Sequence, residues 1–179
     1  QDGGEHGYGS STSLSTVKHL QSLGVTWVSL TPFAWTSSIH DPQLRGEHQG
    51  SMPKAGESHL RLQGMVEQAH ESSMKVLLKP HIWIDQGAWR GAIEPKDKDG
   101  KLAWETWWKN YRAFITYYAK FAQEHHVEAF VIGVEIDSAL RATPEEFQET
   151  IAMVRKLYHG KVLYSANWDQ LHDAELWKE

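Results

Sequence analysis

A carboxyl group at the end of an otherwise apolar run is costly unless it is used or paired, and Glu135 closes Glu128-Ala-Phe-Val-Ile-Gly-Val-Glu135. Proton transfer is the chemistry such a group offers. Lys79 and His81 close a second run, Lys75-Val-Leu-Leu-Lys-Pro-His81, with Trp83 just beyond. Asn167, followed by Trp168, closes a third, Lys161-Val-Leu-Tyr-Ser-Ala-Asn167. Lysine, histidine and asparagine side chains can hold hydroxyl groups, and an indole presents a flat apolar face suited to a sugar ring. Together these residues outline a carbohydrate cleft, with Glu135 as its proton donor and Lys79, His81, Trp83, Asn167 and Trp168 as substrate contacts.

Other chemistries are poorly supplied. With no cysteine, the 179-residue chain has no disulfide, thiolate metal ligand or thiol nucleophile. Its 11 histidines show no ligand spacing, because His125 and His126 are adjacent and His81 has no His-x-His companion. No Gly-x-Ser-x-Gly turn is present to seat a catalytic serine. A metal-free mechanism without a cofactor is therefore expected. A formal charge of -5, with scattered Lys and Arg, gives no footprint for nucleic acid or an anionic membrane, and an uncharged polysaccharide or oligosaccharide fits better. No apolar run reaches the roughly 18 residues of a membrane-spanning helix. Nine tryptophans are several times ordinary usage, and at least three are expected to line the cleft. A start at Gln1 suggests a processed or truncated chain, with a secreted or periplasmic setting favoured.

The elements that must position these residues alternate in type. Residues 13–23 carry Leu14, Val17, Leu20 and Leu23 at helical spacing and stop at Gly24. A strand over 25–31 follows, ended by Pro32, then a long loop over 33–57. Residues 59–73 form the next helix, 75–81 the next strand, and 83–101 another loop. Trp107, Tyr111, Phe114, Tyr118 and Phe121 then mark one buried stripe of a helix. After the strand over 128–135, Thr143-Pro-Glu-Glu146 has the form of a capping box, opening a helix that buries Phe147, Ile151, Val154 and Tyr158. Gly160 and a fourth strand over 161–167 complete the pattern.

Strands joined through helices specify a parallel sheet. A doubly wound sheet would carry a Gly-rich phosphate turn after an early strand, which Gly3-Gly4 and Gly7-Tyr-Gly9 do not supply. The reading is an α/β fold: a partial TIM (β/α)8 barrel, four strands with their helices. A full barrel needs eight strands and about 250 residues, so residues 1–179 are expected to form a single incomplete catalytic domain. Barrel sites lie at the carboxyl ends of strands, which selects Thr31, His81, Glu135 and Asn167. Simple alternation turns Phe130, Ile132 and Val134 toward the helices, and Ala129, Val131, Gly133 and Glu135 inward. It sends Lys79 and His81 inward too, beside Glu135, while Phe33, Trp35 and Trp89 join Trp83 on the rim.

Four segments resemble glycoside hydrolase family 113, barrel enzymes that include β-1,4-mannanases. They are Leu-Gly-Val-Thr-Trp-Val-Ser-Leu-Thr-Pro-Phe33, Lys-Val-Leu-Leu-Lys-Pro-His-Ile-Trp83, Phe-Val-Ile-Gly-Val-Glu135 and Gly-Lys-Val-Leu-Tyr-Ser-Ala-Asn-Trp168. The resemblance implies that the four strands are approximately strands 2 to 5 of the barrel, without the first strand and strands 6 to 8, and that the mechanism is retaining, with Glu135 at the acid/base position after the fourth barrel strand and the nucleophile on the seventh, beyond Glu179. It also exposes a departure, since the family usually has Gly-Thr-Glu where this chain has Gly133-Val134-Glu135. With Val134 turned toward the helices, that change should alter packing more than chemistry. The expected function is a retaining endo-β-glycosidase acting on β-1,4-mannan or a related β-linked hexose polysaccharide, the 179 residues alone being inactive. Alternatives are a catalytically silent carbohydrate-binding barrel, or an unrelated metal-dependent hydrolase.

Overall fold

The computed structural model describes residues 6–50 and 58–170. Helix α1 (Ser11–Ser22) starts where the Ser10 hydroxyl accepts the Ser13 N–H at 3.1 Å. It buries only Val17 fully and leaves Leu23 exposed, so its apolar stripe is narrower than the spacing predicts. Helix α2 (His59–Glu71) is capped by Ser58 and buries Leu62, Met65, Val66 and Ala69. These helices cover the strands that follow each of them.

Each of the first two predicted strands is two strands in succession. β1 (Trp27–Leu30) and β2 (Phe33–Thr36) flank Thr31-Pro32, and β3 (Lys75–Leu78) and β4 (His81–Ile84) flank Lys79-Pro80. β1 pairs with β3 in parallel through Leu30–Leu78, and β2 pairs with β4 through Phe33–His81. The pairing offset is the same on both sides of the prolines. Across the gap the Lys79 N–H donates to the Leu30 carbonyl and the His81 N–H to the Pro32 carbonyl, both at 2.8 Å. Proline removes a donor without ending the ladder. The predicted loops over 33–57 and 83–101 therefore open with strand, and His81 starts a strand where the sequence reading has it finishing one. A one-turn 3-10 helix, Arg90–Ala92, follows β4.

Helix α3 (Trp104–Glu124) lies against β5 (Ala129–Val134) with its whole predicted stripe buried. Trp107 and Tyr111 stack with ring centroids 4.8 Å apart, and Trp108 meets both rings edge-on. Burying one such ring contributes about 1.5–3 kcal/mol, which makes α3 the main source of core on this face. A short helix, α4 (Asp137–Ala142), intervenes before α5 (Pro144–Leu157) and has no periodic signal of its own. Thr143 stands at the N-cap of α5, yet no side-chain capping bond forms. Its hydroxyl is engaged elsewhere, accepting the Trp108 indole N–H at 2.7 Å and donating to the Ala139 carbonyl at 3.0 Å.

The parallel sheet runs β1-β3-β5-β6, with β6 spanning Lys161–Ser165, and β2-β4 extends its first half. One face meets the helices; the other carries Trp27, Ser29, Lys75 and Leu163, all exposed. This is the partial barrel the element order predicts.

Candidate active site

The end of β5 is not a simple strand end. The β5–β6 register slips between Val131 and Gly133, so Ile132 and Gly133 together oppose one residue spacing on β6. Tyr111, reaching from α3, donates its phenol to the extra carbonyl of Ile132 at 2.7 Å. A Cβ on Gly133 would lie 3.0 Å from the Tyr164 ring and 3.1 Å from the Tyr111 oxygen, so Gly133 faces the helix layer and a side chain there would be crowded. The bulge reverses the parity that simple alternation predicts. Val134, paired with Ser165, returns to the interior face with Val131, and Gly133 leaves it. Two expectations are corrected: Glu135 does not owe its space to Gly133, and Val134 does not point toward the helices.

Glu135 has φ +49°, the left-handed region, which costs a non-glycine residue about 1–3 kcal/mol when held there. Its N–H donates to the Ser165 carbonyl at 2.9 Å, anchoring it to β6. The next turn is tied by Tyr164, whose hydroxyl accepts the Ile136 N–H at 3.1 Å. Burial, followed by the charge of Asp137, raises the pKa of that phenol, so it stays a neutral donor and acceptor. The carboxyl itself is 30% exposed. Arg90 Nη1 donates to Oε2 at 3.1 Å and Trp89 Nε1 to the same oxygen at 3.4 Å.

The direct partners of Glu135 are therefore Trp89 and Arg90, rather than Lys79 and His81. His81 instead lies within electrostatic range of both Arg90 and Lys79. Burial, then the charges of Arg90 and Lys79, lowers the His81 pKa from 6.5 to about 4, keeping the ring neutral at ordinary pH. Its Nε2 is buried and has no hydrogen-bond partner among the described residues. Around it the interior face of β2 and β4 is aromatic: Phe33 lies 5.6 Å from the His81 ring, 5.8 Å from Trp83 and 6.2 Å from Trp35. Trp83 is 48% exposed, an indole fixed by neighbours yet open on one side.

Asn167 and Trp168 follow β6, two and three residues past the Ser165 carbonyl that holds the Glu135 backbone. The Asn167 side-chain oxygen accepts the Trp168 N–H at 3.0 Å, a local turn contact, and Trp168 is 81% exposed. Sequence reasoning places Trp89 on the rim but misses Arg90. No local signal marks it, because its partner Glu135 lies 45 positions further along the chain. Among the described residues no group of three or more His, Asp or Glu side chains could hold a metal ion, and no helix is long and apolar enough to cross a membrane.

The described residues thus form a parallel β/α-barrel wall with the Glu135 carboxyl at its carboxyl-terminal edge and a cluster of aromatic rings on β2 and β4. The sequence profile of Glycoside Hydrolase Family 113 matches residues 3–179, and the chain belongs to that family. Among solved structures, a GH113 β-1,4-mannanase described as a complex aligns with TM-score 0.80 at 25% identity, covering 96% of this chain and 57% of that one. The GH113 β-mannanase AaManA from Alicyclobacillus acidocaldarius, in complex with ManMIm, aligns with TM-score 0.84 at 28% identity over 96% of this chain and 55% of that one. The chain thus spans little more than half the length of these enzymes. No curated protein sequence matches it significantly.

Proposed function

We propose that this chain supplies the acid/base side of a retaining endo-β-glycosidase acting on β-1,4-mannan or a related β-linked hexose polysaccharide, with Glu135 as the acid/base. The observation that carries the reading is Glu135 at the sheet edge, its backbone tied to β6 through the Ser165 carbonyl and its carboxyl held by Arg90 and Trp89 from the segment after β4. The mannanases that the chain resembles support the substrate class.

In the first step Glu135 protonates the glycosidic oxygen as it leaves. In the second it deprotonates the water that cleaves the glycosyl-enzyme. The covalent bond forms on a second carboxylate, which on this reading comes from outside these residues. Retention requires the two carboxyls about 5–5.5 Å apart. On this reading His81 and Lys79 bind sugar hydroxyls, Phe33, Trp35 and Trp83 offer stacking surfaces, and Asn167 and Trp168 add an amide and an indole to the substrate contacts. Neutral His81 can donate to or accept from a hydroxyl, which an imidazolium could do only as donor.

Glu135→Gln in the natural full-length protein is expected to lower kcat/KM on mannan by about 10²–10⁴-fold while binding persists. Following the first-formed product by NMR should show the β-anomer. Undiminished turnover by Glu135→Gln removes the residue from the role, and an α-anomer product rules out retention.

A further inference from the structure

Both hydrogen bonds to the Glu135 carboxyl among the described residues fall on one oxygen. Arg90 Nη1 and Trp89 Nε1 each donate to Oε2. An oxygen that accepts two N–H donors has no room for a hydrogen of its own, because O–H and N–H hydrogens would meet head-on. A protonated Glu135 therefore carries its proton on Oε1, with Oε2 as the carbonyl oxygen. The two donors fit the ionised and the protonated carboxyl alike, so neither must move as the group cycles between acid and base.

The donors are held in place independently of Glu135. The Arg90 guanidinium also donates through Nε to the Ile82 carbonyl at 3.2 Å, so it bridges β4 to the end of β5. The Trp89 indole packs against Gly91, where a Cβ would come within 2.6 Å of three ring atoms. Any side chain at 91 would displace the ring and, with it, the Nε1 donor. Three consecutive residues, Trp89-Arg90-Gly91, thus form one device at the mouth of the sheet.

We propose that Trp89 and Arg90 are positioning residues that reserve Oε1 of Glu135 as the proton-bearing oxygen, with Gly91 required to seat the Trp89 indole; this rests on the acid/base reading of Glu135. The device acts on proton delivery rather than on the sugar. Its loss should therefore harm substrates whose leaving group needs a proton far more than those whose leaving group does not.

The test is kcat/KM, which reports glycosylation, for the full-length protein on mannan and on 2,4-dinitrophenyl β-mannobioside, whose phenolate departs unprotonated. Arg90→Ala should lower kcat/KM on mannan on the order of 10²-fold, as for a misplaced catalytic group, and on the aryl glycoside by less than about threefold. Trp89→Phe keeps the ring and loses the N–H, so it should show the same split at about tenfold on mannan. Gly91→Ala should match it. If Arg90→Ala does not fold, Trp89→Phe carries the test. Equal losses on both substrates, or no loss on mannan, overturn the positioning role. Glu135→Gln is measured alongside: if it still cleaves mannan at full rate, the acid/base reading falls and this proposal with it. An inactive Glu135→Gln together with equal losses in Arg90→Ala and Trp89→Phe overturns the positioning role alone.

Discussion

The two faces of the sheet use the same aromatic residues for opposite ends. On the helix side Trp107 and Trp108 are wholly buried, packed against Tyr111, and the Trp108 N–H is satisfied by Thr143. On the interior side Trp83 keeps 48% of its surface open, although Phe33 meets its ring edge-on at 5.8 Å. Burial on the first face stabilises the fold. Exposure on the second leaves flat apolar surface at a defined place, the property a stacking platform needs.

That contrast can be broken by exchanging the roles. Trp108→Ala should destabilise the protein by about 3–5 kcal/mol through cavity formation and the loss of the Thr143 contact, as measured by urea unfolding. Trp83→Ala should leave stability within about 1 kcal/mol and instead weaken polysaccharide binding by about 0.5–1.5 kcal/mol, the worth of one ring contact. Unfolding of Trp83→Ala on the scale of Trp108→Ala would show that the interior face is ordinary core.

A smaller effect separates two histidines. Burial lowers His48, edge-on to Phe114, and His81, beside Phe33, from 6.5 to about 4 each; for His48 the Leu44 backbone partly offsets the shift. Both are neutral when folded and take up a proton more readily when unfolded. Their contribution to stability is therefore intact above about pH 6.5 and is lost as pH falls toward about 4. The melting temperature should fall through that window, and more gently in His48→Gln. Bound mannooligosaccharide should move the NMR titration of His81 and leave that of His48 alone. A ligand effect on both, or on neither, removes His81 from the cleft.

Much of the fold was legible because its signals are local and redundant. The stripe from Trp107 to Phe121, the apolar positions of the helix over 59–71 and the apolar strands all follow from spacing. What sequence missed depends on non-local partners. Pro32 read as the end of one strand and His81 as the end of the next, but the paired backbones carry the ladder past both into β2 and β4. The bulge at Ile132 is stabilised by a phenol from α3, so parity counted along one strand could not detect it. Glu135 was legible as a carboxyl out of place in an apolar run. Arg90 was not, since its role exists only when β4 and β5 lie side by side.

The central claim is that Glu135 is the acid/base and not the nucleophile, and chemical rescue separates the two. Glu135→Ala in the full-length protein, given 2,4-dinitrophenyl β-mannobioside and sodium azide, should turn over faster with azide and release a β-mannosyl azide, because azide attacks a glycosyl-enzyme formed elsewhere. An α-mannosyl azide would identify Glu135 as the nucleophile, and no response to azide would contradict its role as acid/base.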